Sequence, residues 1–139
     1  DHKLASMAAD LATRYKAQQL GADDAVLLRW PPRRPPMLSE ATTASLLVLT
    51  ALQDWCTPGP EAAPVYSTTL AALRAGGLAV ADAHLAVELF VWKSWKGAWL
   101  LSAVHGARPI GQLGRAKIQQ SAFPLQELLA PWLLPPAGP

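Results

Sequence analysis

The sequence contains a single cysteine, Cys56, among 139 residues. One thiol cannot build an internal disulfide framework, and such usage fits a reducing compartment, here expected to be the cytoplasm. Charge of either sign is scarce. Asp, Glu, Lys and Arg together make up 16%, with 12 Lys plus Arg against 10 Asp plus Glu. A surplus of two cations does not mark a nucleic-acid or membrane surface, so neither partner is expected. No apolar run approaches the about eighteen residues that a membrane-spanning helix needs. The chain opens Asp1-His2-Lys3, without Met and without the basic-then-apolar pattern of a secretory signal. Three scattered histidines (His2, His84 and His105) and one cysteine cannot supply a closed zinc site. Each histidine falls in a loop or terminal context and reads as an ordinary surface residue. There is no Gly-rich phosphate loop of the dinucleotide or Walker type, and no nucleophile elbow.

Apolar residues and proline are what the sequence does have. Hydrophobic residues reach 51%, too many for a disordered chain and enough for a real core. The length suits one domain over residues 1–139. Thirteen prolines break the chain into short elements. Leu4, Met7, Ala8, Leu11, Ala12 and Tyr15 recur at three- and four-residue steps, which predicts a helix over 4–20 with Gly21 as a left-handed C-cap. Residues 25–28 and 46–49 read as buried strands, and 55–57 as a hairpin partner of the second. Trp30 through Pro36 cannot continue a helix or strand and reads as an extended loop, with Arg33 and Arg34 in solvent. Thr68 to Ala75 reads as a helix with Ser67 as N-cap and Gly76-Gly77 as its stop. Residues 88–92 and 98–104 read as strands flanking 93–97. His105 to Arg108 reads as a turn, and Ile110 as the start of a further extended piece. Gln119 to Leu129 reads as a helix in which Pro124 is tolerated only near the start or at a kink. The tail from Pro131 is apolar and irregular. Mixed short strands and helices predict an α/β (α+β) class.

Several segments stand in a telling order. Lys3 precedes the first helix, and Gly21-Ala22-Asp23-Asp24-Ala25 leads into a strand. Leu38-Ser39-Glu40-Ala41-Thr42-Thr43-Ala44-Ser45-Leu46-Leu47 follows, then Trp55-Cys56-Thr57-Pro58, then Ala86-Val87-Glu88-Leu89-Phe90-Val91-Trp92-Lys93-Ser94. Leu100 through Gly111 closes the series. In this order the segments resemble the fold-type IV pyridoxal-phosphate enzymes, the family of the D-amino-acid and branched-chain aminotransferases and of 4-amino-4-deoxychorismate lyase. The likeness runs over nearly the whole chain, but only to that family's C-terminal, cofactor-binding domain. It therefore implies a D-amino-acid aminotransferase-like domain of mixed, barrel-like strands with flanking helices, the N-terminal domain being absent. Ser45 and Leu47 replace the family's usual Asn and Phe. Val65-Tyr66-Ser67-Thr68 stands where the family has an intact "G-I-T-R", and Trp92, Lys93 and Trp95 occupy a loop that usually holds small hydroxyl residues.

The resemblance implies pyridoxal 5'-phosphate as cofactor and assigns roles. Lys3 becomes the catalytic lysine that carries the cofactor, and its amine must be partly deprotonated to attack an aldehyde. Glu40 faces the pyridine nitrogen. Thr42 and Thr43 form a wall of the site. Ser67 and Thr68 meet the phosphate at a helix start, and Ser94 adds a hydroxyl. The expected activity is a lyase that eliminates pyruvate from aminodeoxychorismate to give 4-aminobenzoate, a folate precursor. The alternatives are an aminotransferase acting on D-amino or branched-chain amino acids, or a degenerate, non-catalytic relative. The expected partners are the small-molecule substrate and either a second copy of the chain or a separate N-terminal piece.

Overall fold

A computed structural model describes residues 15–42, 44–62 and 67–132. The chain is helical over 15–19 and closes at Gly21, whose φ of 89° lies in the left-handed region expected of a C-cap. Strand β1 (Val26–Arg29) pairs antiparallel with β2 (Met37–Ala41). β3 (Ser45–Leu49), β4 (Trp55–Pro58), β5 (Val80–Ala83), β6 (Gly97–Ser102) and β7 (Gly106–Pro109) form a second, five-stranded sheet. Its order is β5-β4-β3-β6-β7. All its pairings are antiparallel except β4 with β5. A small hairpin joins β8 (Gln112–Leu113) to β9 (Ala116–Lys117). Besides the segment 15–19, the described residues hold three α-helices: α1 (Thr68–Ala75), α2 (Leu89–Ser94) and α3 (Leu125–Leu129).

The five-stranded sheet has an apolar cluster on each face, because successive strand residues point to opposite sides. On one face Leu46, Val48, Ala98 and Leu100 meet Leu38 of β2, Val91 and Trp92 of α2, and Trp95. On the other, Leu47, Leu49, Trp99 and Leu101 meet Ala72 and Leu73 of α1 and Leu125 and Leu129 of α3. Trp55 extends the second cluster, with ring centroids 5.2 Å from Trp99 and 5.0 Å from Phe123. Thus β3 and β6 are covered on both sides, the α/β arrangement the composition predicts.

The structure departs from the sequence reading at several points. Residues 89–94 form a helix, not a strand. Their β-branched and aromatic composition favours a strand, but Val91, Trp92 and Trp95 all enter one cluster. That spacing requires a helical turn, since a strand would send Val91 and Trp92 to opposite faces. The Trp92 indole N–H donates to the Ala86 carbonyl at 2.9 Å and holds the turn. The loop 30–36 is curled, not extended. Arg33 has a φ of 59° and the Arg34 N–H returns to the Pro31 carbonyl. Arg33 and Arg34 are in solvent as expected, and Arg34 pairs with Glu61 at 2.5 Å. The turn near His105 occupies 103–105, and Gly106 already belongs to β7. The last helix starts only after Pro124, which stands at its N-cap and lacks the N–H an interior position would need.

Candidate functional site

The elements gather some of the expected residues at one end of the five-stranded sheet. β3 begins there at Ser45, opposite Leu101 of β6. The turn that joins β2 to β3 closes with the Ala41 N–H donating to the Ala44 carbonyl at 2.9 Å. Glu40 is therefore the penultimate residue of β2, half-buried beside that turn. Its neighbour Ser39 is fully buried, and its hydroxyl donates to the Ala62 carbonyl at 2.9 Å. This bond ties the strand carrying Glu40 to the 3-10 turn Pro60–Ala62. Thr42 is anchored rather than loose. Its hydroxyl donates to Asp24 Oδ1 at 2.5 Å, and its N–H donates to the Ala25 carbonyl. The same Asp24 oxygen accepts the Ala25 N–H at 2.7 Å. Thr42 thus clamps the entry to β1 against the turn.

Ser67 is the N-cap of α1. Its backbone is extended and its Oγ accepts the Leu70 N–H at 3.1 Å, satisfying one of the N–H groups that every helix start leaves without an intrahelical partner. Those of Thr68 and Thr69 point out of the same end, where the helix dipole favours an anion. A cavity of about 70 Å³ opens beside them, lined by Thr68, Thr69, Leu129 and Trp132. Gly76 and Gly77 stop the helix at its other end, and Gly77 adopts a φ of 99°. Replacing Ser67 by Ala removes the cap acceptor. It is expected to lower stability by about 1 kcal/mol, with Ser67→Asp restoring most of the loss. A urea melt of the two variants checks this.

Ser94 lies elsewhere. It is the last residue of α2, three before Gly97, and Gly97 pairs with Leu49 at the opposite end of β3. Four residue steps separate the two ends, roughly 13 Å. The Ser94 hydroxyl donates to the Val91 carbonyl of its own helix at 2.6 Å. Glu40 and Thr42 thus stand by the start of β3 on the side that β2 covers, α1 with Ser67 and Thr68 packs on the other face of the sheet, and Ser94 lies towards the far end of β3. Lys3 and Thr43 lie outside the described residues.

One polar atom escaped the sequence reading. Arg108 Nε, on β7, is buried and makes no hydrogen bond. Arg108 reads as a turn residue in the sequence, and only the pairing of β7 with β6 turns it onto the sheet. Cys56 is half-buried, and burial, reinforced by the charge of Asp54, pushes its thiol above the usual cysteine range. It is thereby kept neutral and a poor nucleophile. Among the described residues no cluster of His, Cys, Asp and Glu could hold a metal ion, and no helix is long and apolar enough to cross a membrane.

No family model and no curated protein matches the sequence. Solved structures do match the fold. A protein assigned as a 4-amino-4-deoxychorismate lyase, from Legionella pneumophila, superposes with a TM-score of 0.70 at 17% identity, over 89% of this chain and 45% of its own. A hypothetical aminotransferase from Mycobacterium tuberculosis gives 0.74 at 20% identity, over 91% and 45%. A fold IV transaminase from Curtobacterium pusillum gives 0.70 at 23%, over 89% and 42%. The Mycobacterium protein has also been solved with pyridoxal phosphate bound. The chain therefore has a fold found in fold-type IV aminotransferases and in 4-amino-4-deoxychorismate lyase. It spans less than half the length of the proteins it matches.

Proposed function

We propose that the chain is the pyridoxal-phosphate-binding domain of a fold-type IV enzyme, working in the cytoplasm with a second copy or a separate N-terminal piece. The observation that carries this is the capped start of α1 with a cavity beside it, in a fold shared with fold-type IV enzymes. On this reading the helix start and Glu40 would take the two ends of the cofactor. The Thr68 and Thr69 N–H groups would hold its phosphate, with the Ser67 cap keeping the helix start in place. Glu40 would hold a proton on the pyridine nitrogen, because a carboxylate there stabilises the charged ring. Thr42, clamped to Asp24, would keep the adjoining wall rigid, and Thr43 would complete it. Ser94, at the far end, would add a phosphate contact only if α2 shifted.

When bound, the cofactor supplies an electron sink for the pair released at the substrate's α-carbon. Lys3 supplies the proton chemistry. Its amine would carry the cofactor while free and would then move a proton at that carbon. In the lyase reading this ends in loss of pyruvate from aminodeoxychorismate and formation of 4-aminobenzoate. In the aminotransferase reading an amino group passes between an amino acid and a 2-oxo acid. We favour the lyase because the Thr42-Thr43-Ala44 turn and the altered segment before Ser67 are similar to the more variable, lyase-like branch.

The test uses the whole chain. Mixed with pyridoxal phosphate, it should develop the visible absorption band of the lysine-bound cofactor, and borohydride should fix the label on Lys3. A label on Lys16, Lys93, Lys96 or Lys117 in place of Lys3 would sink the reading, as would a folded chain with no band. If the label falls on Lys3, 4-aminobenzoate formation assayed against transamination distinguishes the branches.

A further inference from the structure

The stretch 89–126 holds Lys93, Lys96, Arg108, Arg115 and Lys117 and not one Asp or Glu. Among the described residues the ion pairs are Arg34 with Glu61 and Arg74 with Asp82, so none of these cations joins either. Lys93, Arg115 and Lys117 are exposed. So are two apolar side chains of the same stretch, Phe90 at 80% and Leu89 at 39%. Scattered singly, such residues are ordinary surface. Gathered on one patch, they mark a place where another molecule can gain by covering them.

These five side chains are gathered. Val91, Trp92 and Trp95 turn into the cluster beneath α2, so the opposite side of the helix carries Phe90 and Lys93. Lys93 stands three residues from Phe90 and four from Leu89, the spacings at which helix side chains adjoin. β9 packs directly beside α2, and a Cβ at Gly114, in the β8–β9 turn, would meet the Trp92 ring at 3.5 Å. Ala116 and Ile118 are buried in that same cluster, while Arg115 and Lys117 are exposed. The hairpin and the helix thus sit side by side on one cluster and turn their outer sides to water. Glu88, the N-cap of α2, borders the patch. Glu127 belongs to α3, which covers the other face of the sheet.

An apolar centre with a charged rim is the anatomy of a protein–protein contact, and potentials across such a contact are complementary. A second copy seated on this patch through its own patch would set cation against cation. Single-stranded nucleic acid takes aromatic rings in succession, and a lipid surface a group of about four to eight cations. Here Phe90 is the one exposed ring, beside three exposed cations. We propose that the outer side of α2 and the β8–β9 hairpin docks an acidic, leucine-bearing segment of a partner protein. Its carboxylates meet Lys93, Arg115 and Lys117, and an apolar side chain covers Leu89 and Phe90. The proposal does not depend on the cofactor reading above.

The test is fluorescence anisotropy with the whole chain and a labelled peptide of Glu-Glu-Leu repeats at low salt. The peptide should bind, and added salt should weaken it, since exposed charge pairs are screened. Glu-Glu-Ser repeats of the same length should bind several-fold more weakly, and Lys-Lys-Leu repeats should not bind. Lys93→Glu combined with Lys117→Glu should lower affinity about tenfold or more. Lys16→Glu combined with Arg33→Glu makes the same change in net charge outside the patch and should alter affinity by no more than about twofold. Phe90→Ser should weaken the Glu-Glu-Leu peptide and leave Glu-Glu-Ser unchanged. All these positions are exposed, so the circular dichroism of every variant should match the wild type. Failure of the wild type to bind Glu-Glu-Leu would overturn the proposal, as would equal losses in the two charge-reversed pairs. So would oligo-dT or phosphatidylserine vesicles that bind more tightly than the peptide and are lost with Lys93→Glu and Lys117→Glu.

Discussion

Leu47→Ala is expected to cost about 2–5 kcal/mol of stability, a drop in Tm of about 10–20 °C. Leu47 has no exposed surface. It lies at the centre of β3, opposite Trp99 of β6, and packs in the cluster with Leu73 of α1 and Leu125 and Leu129 of α3. Removing its side chain forfeits the transfer energy and leaves a void that two helices and a sheet cannot close by small shifts, because each is held by other contacts. Whole domains are stable by only about 5–15 kcal/mol, so this is a large share of the total. Leu52, in the tight connection after β3, is the matching control. It is 84% exposed, and Leu52→Ala should change stability by no more than about 0.5 kcal/mol. Denaturant melts of the two variants compare them directly. Similar midpoints would contradict the packing described for the second face.

On the cofactor role proposed for it, Glu40→Gln should weaken pyridoxal-phosphate binding at least about tenfold, with the fold intact. A hydrogen bond between charged groups contributes about 1.5–3 kcal/mol, which is roughly 10- to 150-fold in an equilibrium or a rate. Glutamine keeps the size and loses the charge, so it cannot hold a proton on the pyridine nitrogen, and the ring is then a poorer electron sink. The fold should survive, since the Ser39 to Ala62 bond and the Leu38 contacts do not involve the Glu40 side chain. Glu40→Asp should recover part of the loss. Absorbance titration with pyridoxal phosphate and a far-ultraviolet melt of the same samples separate the two effects. Unchanged affinity in a folded Glu40→Gln chain would remove Glu40 from the cofactor site.

Much of the fold could be read before any coordinates. The α1 boundaries, its Ser67 cap and its Gly76-Gly77 stop are local matters, set by a side-chain acceptor at one end and by backbone freedom at the other. So are the Gly21 cap and the pairing of β3 with β4 across a tight turn. β2 and β5 are different. Met37–Ala41 mixes polar and apolar residues yet is buried on both sides, and Val80–Ala83 is a short edge strand that exists only because β4 supplies its partner. Neither has a period that shows in the chain. α2 carries a strand's composition and becomes a helix because Val91, Trp92 and the following Trp95 reach one cluster.

The candidate site divides the same way. Glu40, Ser67 and Thr68 could be named from their order along the chain and the family it resembles. That Ser94 lies towards the far end of β3 from Glu40 could not. Nor could the burial of Arg108 Nε, which depends on β7 pairing with β6. Taken alone, the sequence determined the class of fold, the helix caps, the scarcity of cysteine and charge, and the order of the candidate residues, because each of these rests on neighbours in the chain. Only the tertiary structure decided which of those residues meet, because strand pairing between distant segments sets both the face and the end of the sheet at which each side chain stands.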